Sequence, residues 1–220
     1  MVYGCDLLVD DKTAEEFTVY MKKFTDLYTI LSKIVKHHTA ASQPHILDLG
    51  CGPGLLSAEL LKQIPDATVI GIDPLKKMLR LAQEHTEKSG VRIFEPVLGV
   101  SEHIPLKEQI IDTIVSRFSL PYWNEPHQSF LEMNRVLRPK GKIVLEALNR
   151  DFPKWKLLGI KVGMLLNHAG GDVTKYHLDA YTLAYTQDEV EMFVTKAGFL
   201  VLEKQGKKRD WKFIIIAEKL

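Results

Sequence analysis

The sequence predicts an α/β fold in which a seven-stranded, mostly parallel sheet carries helices on both faces and ends on an antiparallel strand. Three observations predict it. From His45 to Ala147 short apolar runs alternate with longer amphipathic ones, the rhythm of βα units. The run Ile46-Leu47-Asp48-Leu49 leads straight into a glycine-rich turn with a helical pattern beyond, as where a parallel strand enters its crossover. Two late apolar runs, 200–205 and 211–217, flank a basic turn and read as a closing strand pair.

The elements follow in order. Phe17, Tyr20, Met21, Phe24, Leu27, Tyr28 and Leu31 recur at three- and four-residue steps and form one helical stripe. Ser42-Gln43-Pro44 ends that region, and 45–49 is the first strand. Residues 50–54 are the turn and 55–63 its helix. Strand two is 67–72, helix two 75–89, and strand three 91–98, interrupted by Pro96. Strand four is 110–116, followed by a helix over 126–137, a turn at Arg138-Pro139-Lys140-Gly141 and strand five over 142–147. The alternation breaks from Asn149 to about Tyr185. A helix over 187–197 then starts at Thr186, with Glu189 three positions on in a capping-box pattern, and stops at Gly198.

Bulk properties narrow the function. With 220 residues, 45% hydrophobic and 26% charged, the chain suits one globular core and not a disordered or fibrous class. Lys plus Arg number 29 and Asp plus Glu 28, which gives no electrostatic reason to expect nucleic acid. The one dense basic run, Lys204 to Arg209, reads as a solvated hairpin tip. Cys5 and Cys51 are too few and too far apart for a disulfide framework or a metal site, so no metal is expected. The first residues lack a secretory pattern, and no apolar run approaches the roughly 18 residues of a spanning helix. A soluble, cytoplasmic chain is the expectation.

The segment that carries chemistry is Asp48-Leu49-Gly50-Cys51-Gly52-Pro53-Gly54. Glycines let a backbone approach a ligand closely, and the helix beyond offers free N–H groups. Asp73 ends the second strand, 19 residues past Gly54. An acid there accepts hydrogen bonds from both hydroxyls of a ribose, so the two features indicate a nucleoside-containing cofactor. A dinucleotide fingerprint would need a glycine at position 55, where Leu55 stands. Asp48, two residues before the first glycine, disfavours a pyrophosphate and suits an ammonium group.

These residues resemble the class I S-adenosylmethionine-dependent methyltransferases, whose Rossmann-like fold carries D-x-G-x-G-x-G at the first strand. Gly71-Ile72-Asp73 is similar to the family's ribose-binding strand end, and Leu137 to Lys142 to its turn before strand five. The resemblance covers about residues 45 to 147 and divides the chain into a helical cap (1–44), a cofactor-binding core (45–147), a substrate-side insertion (148–185) and a closing helix with strands (186–220). It implies S-adenosylmethionine as cofactor, held by Asp48, Gly50, Cys51, Gly52, Gly54, Asp73 and Pro74. Ser101 and Glu102 fall where relatives hold adenine, with Val100 in place of a frequent Asp. Arg117 and Phe118 follow strand four, where the family holds the cofactor's amino group through a backbone carbonyl.

Methyl transfer from a sulfonium is an in-line displacement helped by alignment and water exclusion, and it needs no triad. The acceptor side is expected from the N-terminal helix, the loop after strand four and the insertion. Tyr122, Trp123, Asn124, Asn149, Tyr176 and Tyr181 are its candidate contacts, and His168 and His177 the candidate bases. The stretch 152–166, apolar with three lysines, reads as an amphipathic lid, as plain core, or as a membrane-surface contact. The activity expected is methyl transfer to a small, partly apolar molecule. A non-catalytic S-adenosylmethionine-binding subunit serving a partner, and an NAD-dependent dehydrogenase, are the alternatives. Arsenic methylation is disfavoured, since that chemistry needs several thiols.

Overall fold

A computed structural model describes residues 11–88, 93–166 and 171–220. Seven strands form one sheet: β1 (His45–Leu49), β2 (Thr68–Asp73), β3 (Phe94–Leu98), β4 (Ile111–Arg117), β5 (Leu137–Leu148), β6 (Phe199–Gln205) and β7 (Lys212–Lys219). Their order is β3-β2-β1-β4-β5-β7-β6, and only β7 runs against its neighbours. The strand order therefore reverses between β1 and β4, which opens a crevice at their carboxyl ends.

Strand alternation sorts the core into two layers. Leu47, Ile70, Ile114 and Ile143 point one way, onto α5 (Pro126–Val136) and α8 (Gln187–Lys196) through Phe130, Met133 and Val190. Ile46, Val69, Val115 and Val144 point the other way, onto α2 (Thr25–His38) and α3 (Leu55–Gln63) through Leu31, Val35 and Leu60. α4 (Lys76–Lys88) packs beside α3 against the edge strand β3. The capping box of α8 is formed: Thr186 Oγ1 accepts from the Glu189 amide, and Glu189 accepts from the Thr186 amide.

Two expectations change. The N-terminal stripe is not one helix. α1 (Asp11–Met21) and α2 are separated by a 3₁₀ turn at Lys22–Phe24, whose two lysines and exposed Phe24 leave no buried residue there to hold a straight helix. The expected turn at Arg138–Gly141 lies inside β5: Ile111 pairs with Leu137 and Thr113 with Lys142, so the four residues bulge out of the ladder. Lys140 there takes a φ of 63°. Arg138 binds the Asp112 carboxylate at 2.6 Å, which ties the bulge to β4.

The insertion between β5 and α8 forms two helices, α6 (Lys154–Leu166) and α7 (Gly171–Leu183). His168 and Cys5 lie outside the described residues, as do positions 91–92 of the expected third strand.

Candidate active site

The crevice begins where β1 ends. Gly50 and Gly52 hold φ values of 75° and 52°, open to glycine and strained for other residues. A Cβ on Gly50 would stand 2.4 Å from Ser119 Cβ, whereas one on Gly52 would meet nothing within 4 Å. The loop is thus pinned at Gly50 and open above Gly52, leaving backbone surface free for a ligand. Below it, Ser116 Oγ donates to the Leu49 carbonyl at 2.8 Å and joins the ends of β1 and β4. Gly54 lies outside the cleft lining. It packs against Ala82 and starts α3.

Asp73 is built into this loop. Its carboxylate accepts from the Gly52 amide at 3.0 Å and the Leu75 amide at 2.9 Å. Burial raises its pKa to about 6 against those two bonds. Asp48 sits behind the loop, buried, accepting from Ser57 Oγ at 2.6 Å. Burial raises it further, to about 7; Ser57 and Arg117 oppose that rise and Asp73 adds to it. Cys51 is buried, and burial pushes its thiol well up.

Arg117, at the end of β4, is the cation of the floor. Its guanidinium lies between the rings of Tyr28 and Phe118, 4.4 and 4.3 Å from their centroids. Nε stands 2.7 Å from Glu146 on β5, directly opposite in register. The N–H is not aimed at that oxygen, and Arg117 Nη2 likewise has no hydrogen-bond partner. Lys212 of β7 also pairs with Glu146. Two cations thus share the buried Glu146. Phe118 has a φ of 56°, a strained value for a phenylalanine, and its ring lines the cleft.

One continuous cleft, with empty space of about 1240 Å³ including its mouth, joins these groups. Asp48, Gly50, Cys51, Gly52, Asp73, Pro74, Ser101, Glu102, Arg117, Phe118, Tyr122, Trp123, Asn124, Tyr176 and His177 all line it. Glu102 Oε1 is engaged by the Asn124 amide at 2.6 Å, and Trp123 also meets core Phe130 edge to face. Tyr122 and Tyr176 lie ring on ring, 4.8 Å apart. His177 is held neutral: burial, aided by the charge of Arg117, lowers its pKa to about 4.

Besides Gly54, two expected acceptor contacts lie outside the cleft lining. Asn149 is buried away from the cleft, donating to the Lys208 carbonyl and accepting from the Asp151 amide at 3.0 Å each. Its short side chain closes a turn instead of facing a ligand. Tyr181 is absent from the cleft wall because α7 turns Tyr176, His177 and Ala180 inward and Tyr181 back against Leu148 and Phe152. Sequence reasoning missed Glu146, Phe17, Met21 and Tyr28 as site residues. A lone acid in the apolar strand 143–148 was the available signal for Glu146.

Residues 47–145 match the methyltransferase-domain family. The uncharacterized methyltransferase YdaC of Bacillus subtilis is 31% identical over 106 residues, 48% of this chain and 57% of that protein. A ubiquinone biosynthesis O-methyltransferase of Rickettsia canadensis is 26% identical over 189 residues, 83% of this chain and 76% of that one. The chain spans 32%, 57% and 40% of the length of three other curated relatives of comparable similarity, YdaC among them. The plantazolicin methyltransferase BpumL, solved in complex with SAH, superposes with a TM-score of 0.76 over 99% of this chain and 94% of its own, at 16% identity. The strand order, the glycine loop with its strand-end acid and the matched domain agree in one likeness: residues 47–145 are similar to a methyltransferase domain, on a fold shared with S-adenosylmethionine-dependent methyltransferases.

Proposed function

We propose that this chain transfers the methyl group of S-adenosylmethionine to a small, partly apolar acceptor by in-line displacement. The observation that carries this reading is the continuity of the cleft. The glycine loop opens without a partition into a chamber walled by Tyr28, Phe118, Tyr122, Tyr176 and a neutral His177. A single lining that runs from Asp73 and the glycine loop to Tyr122, Tyr176 and His177 suits a cofactor and a second molecule side by side.

The residues fit the cofactor. Asp73 has lone pairs left for ribose hydroxyls, and Gly52 leaves open space where any side chain would intrude. Asp48 and Arg117 influence one another electrostatically across the floor. An acid beside a base complements the zwitterion of a methionine moiety: Asp48 would hold its ammonium and Arg117 its carboxylate. Pro74, Ser101 and Glu102 would line the adenine. When bound, S-adenosylmethionine supplies a methyl group already activated on sulfur. The protein's task is then to align the acceptor and exclude water. The aromatic wall does both. His177, uncharged at neutral pH, accepts a hydrogen bond from an acceptor O–H or N–H and aims its lone pair.

Calorimetric titration with S-adenosylhomocysteine and with NAD, on the wild type and on Asp73→Ala, tests the cofactor. Micromolar binding of the first, lost in the variant, is expected; binding of NAD alone would overturn it. Labelled methyl transfer to a panel of apolar phenols and amines tests the activity. Tight cofactor binding with transfer to no acceptor would return the chain to the role of a partner's subunit.

A further inference from the structure

α6 has two apolar faces. At about 100° per residue, Leu157, Ile160 and Met164 fall on one side, packed into the protein. Trp155, Leu158, Val162 and Leu166 fall on the opposite side and are 75%, 65%, 48% and 74% exposed. Lys154, Lys156 and Lys161 are exposed along the borders between the two faces, and the helix contains no acid. Among the described residues nothing covers that second face.

The basic turn of the closing hairpin lies at the same edge. Asn149, where the insertion starts, bonds through its side chain to the Lys208 carbonyl and through its amide to that of Trp211. Trp211 and the inner residues Leu157 and Ile160 pack on one cluster with Tyr181 and Ala184. The exposed Lys207, Lys208 and Arg209 thus sit on a turn tied to the start of the insertion that carries α6. Together the helix and the turn present six cations, while the two segments 149–166 and 206–211 contain only Asp151 and Asp210 as acids. The same cluster takes in Phe118 and Tyr122 of the cleft wall, so the inner side of α6 backs onto the cleft while its outer side is exposed.

We propose that the outer face of α6, with the 207–209 turn, docks on an anionic lipid surface. Trp155, Leu158, Val162 and Leu166 enter the headgroup boundary, the lysines reach lipid phosphates from its borders, and the cleft meets acceptors dissolved in the bilayer. A second copy of this chain would bring cations against cations, which favours the lipid as occupant.

Flotation with vesicles of phosphatidylcholine mixed with phosphatidylglycerol reads the docking without turnover. The wild type is expected to float with these vesicles and not with phosphatidylcholine alone. Trp155→Ser with Leu158→Ser should weaken partition about tenfold or more, as should Lys154→Gln with Lys156→Gln and Lys161→Gln. The lysine variant leaves the apolar face intact, so a folding defect in the serine variant does not decide the outcome. The S-adenosylhomocysteine-induced rise in melting temperature should be retained in both, since neither set of residues lines the cleft. A wild type that ignores anionic vesicles would overturn the proposal. So would equal binding to neutral vesicles, or self-association without vesicle binding that the same substitutions abolish.

Discussion

Asp48→Asn is the most informative substitution. Ionised Asp48 is buried with one hydroxyl donor, and its pKa rises from an ordinary 3.8 to about 7. The sign follows from linkage. Below pH 4 the carboxyl is protonated in folded and unfolded chains alike and contributes nothing. Between about 4 and 7 the unfolded chain ionises first, so stability falls as pH rises, by up to about 4 kcal/mol above 7. That is a large share of the roughly 5–15 kcal/mol of an ordinary domain. Asparagine keeps the Ser57 hydrogen bond and cannot ionise. The variant, free of ligand, should therefore match the wild type near pH 4 and exceed it by a few kcal/mol near pH 8 in urea unfolding. S-adenosylhomocysteine reverses the order: its ammonium needs the carboxylate, so at about pH 8 the variant should bind ten- to a hundredfold more weakly, and at about pH 5.5 nearly as well. Parallel stability curves for the two proteins, or equal affinity at pH 8, would refute the assignment of Asp48 as a buried carboxylate awaiting a cation.

Three further outcomes are expected. Gly52→Ala should cost only about 1–2 kcal/mol of stability, for its left-handed backbone, while weakening S-adenosylhomocysteine binding; Gly50→Ala should cost more because of the 2.4 Å approach to Ser119, and thermal melts with and without ligand separate the two. Glu146→Gln leaves Arg117 and Lys212 without their shared anion and should destabilise by about 3–5 kcal/mol in urea, whereas a change under about 1 would mean the trio is screened by solvent. His177, lowered from 6.5 to about 4, should make the wild type lose up to about 3 kcal/mol relative to His177→Gln as pH falls through that window, with no difference above it; paired melts at several pH values check this.

What the sequence disclosed and what it hid divide along physical lines. The β1 loop was legible because an apolar run, three glycines and a distant acid at that spacing fit a nucleoside-binding turn and little else. The α8 cap was legible because Thr186 and Glu189 act within one turn. Long-range choices were not. Tyr176 and Tyr181 look alike in sequence, and only the packing of α7 on Leu148 decides which one faces the cleft. Asn149 has the composition of a contact residue, but its neighbours offered unsatisfied backbone groups that claimed it first. The ion pair of Arg117 with Glu146 joins positions 29 apart that meet only once β4 and β5 are in register. For α6 the sequence left lid, core and membrane contact open, because two opposed apolar faces cancel in any single measure of amphipathicity and only packing shows which side is exposed.

The carboxylate of Asp73 already grips the amides of Gly52 and Leu75. The glycine loop, the stretch with the most backbone freedom to lose, is therefore ordered before any nucleoside arrives. Capture then avoids about 1–2 kcal/mol of ordering entropy for each loop residue. Association should approach the speed of a rigid receptor, with little change in amide exchange at Gly52 on binding. The cost falls on one carboxylate: with Asp73 as the ribose anchor proposed above, protonation near pH 6 would loosen the loop and the anchor together, and one acid would govern both shape and occupancy.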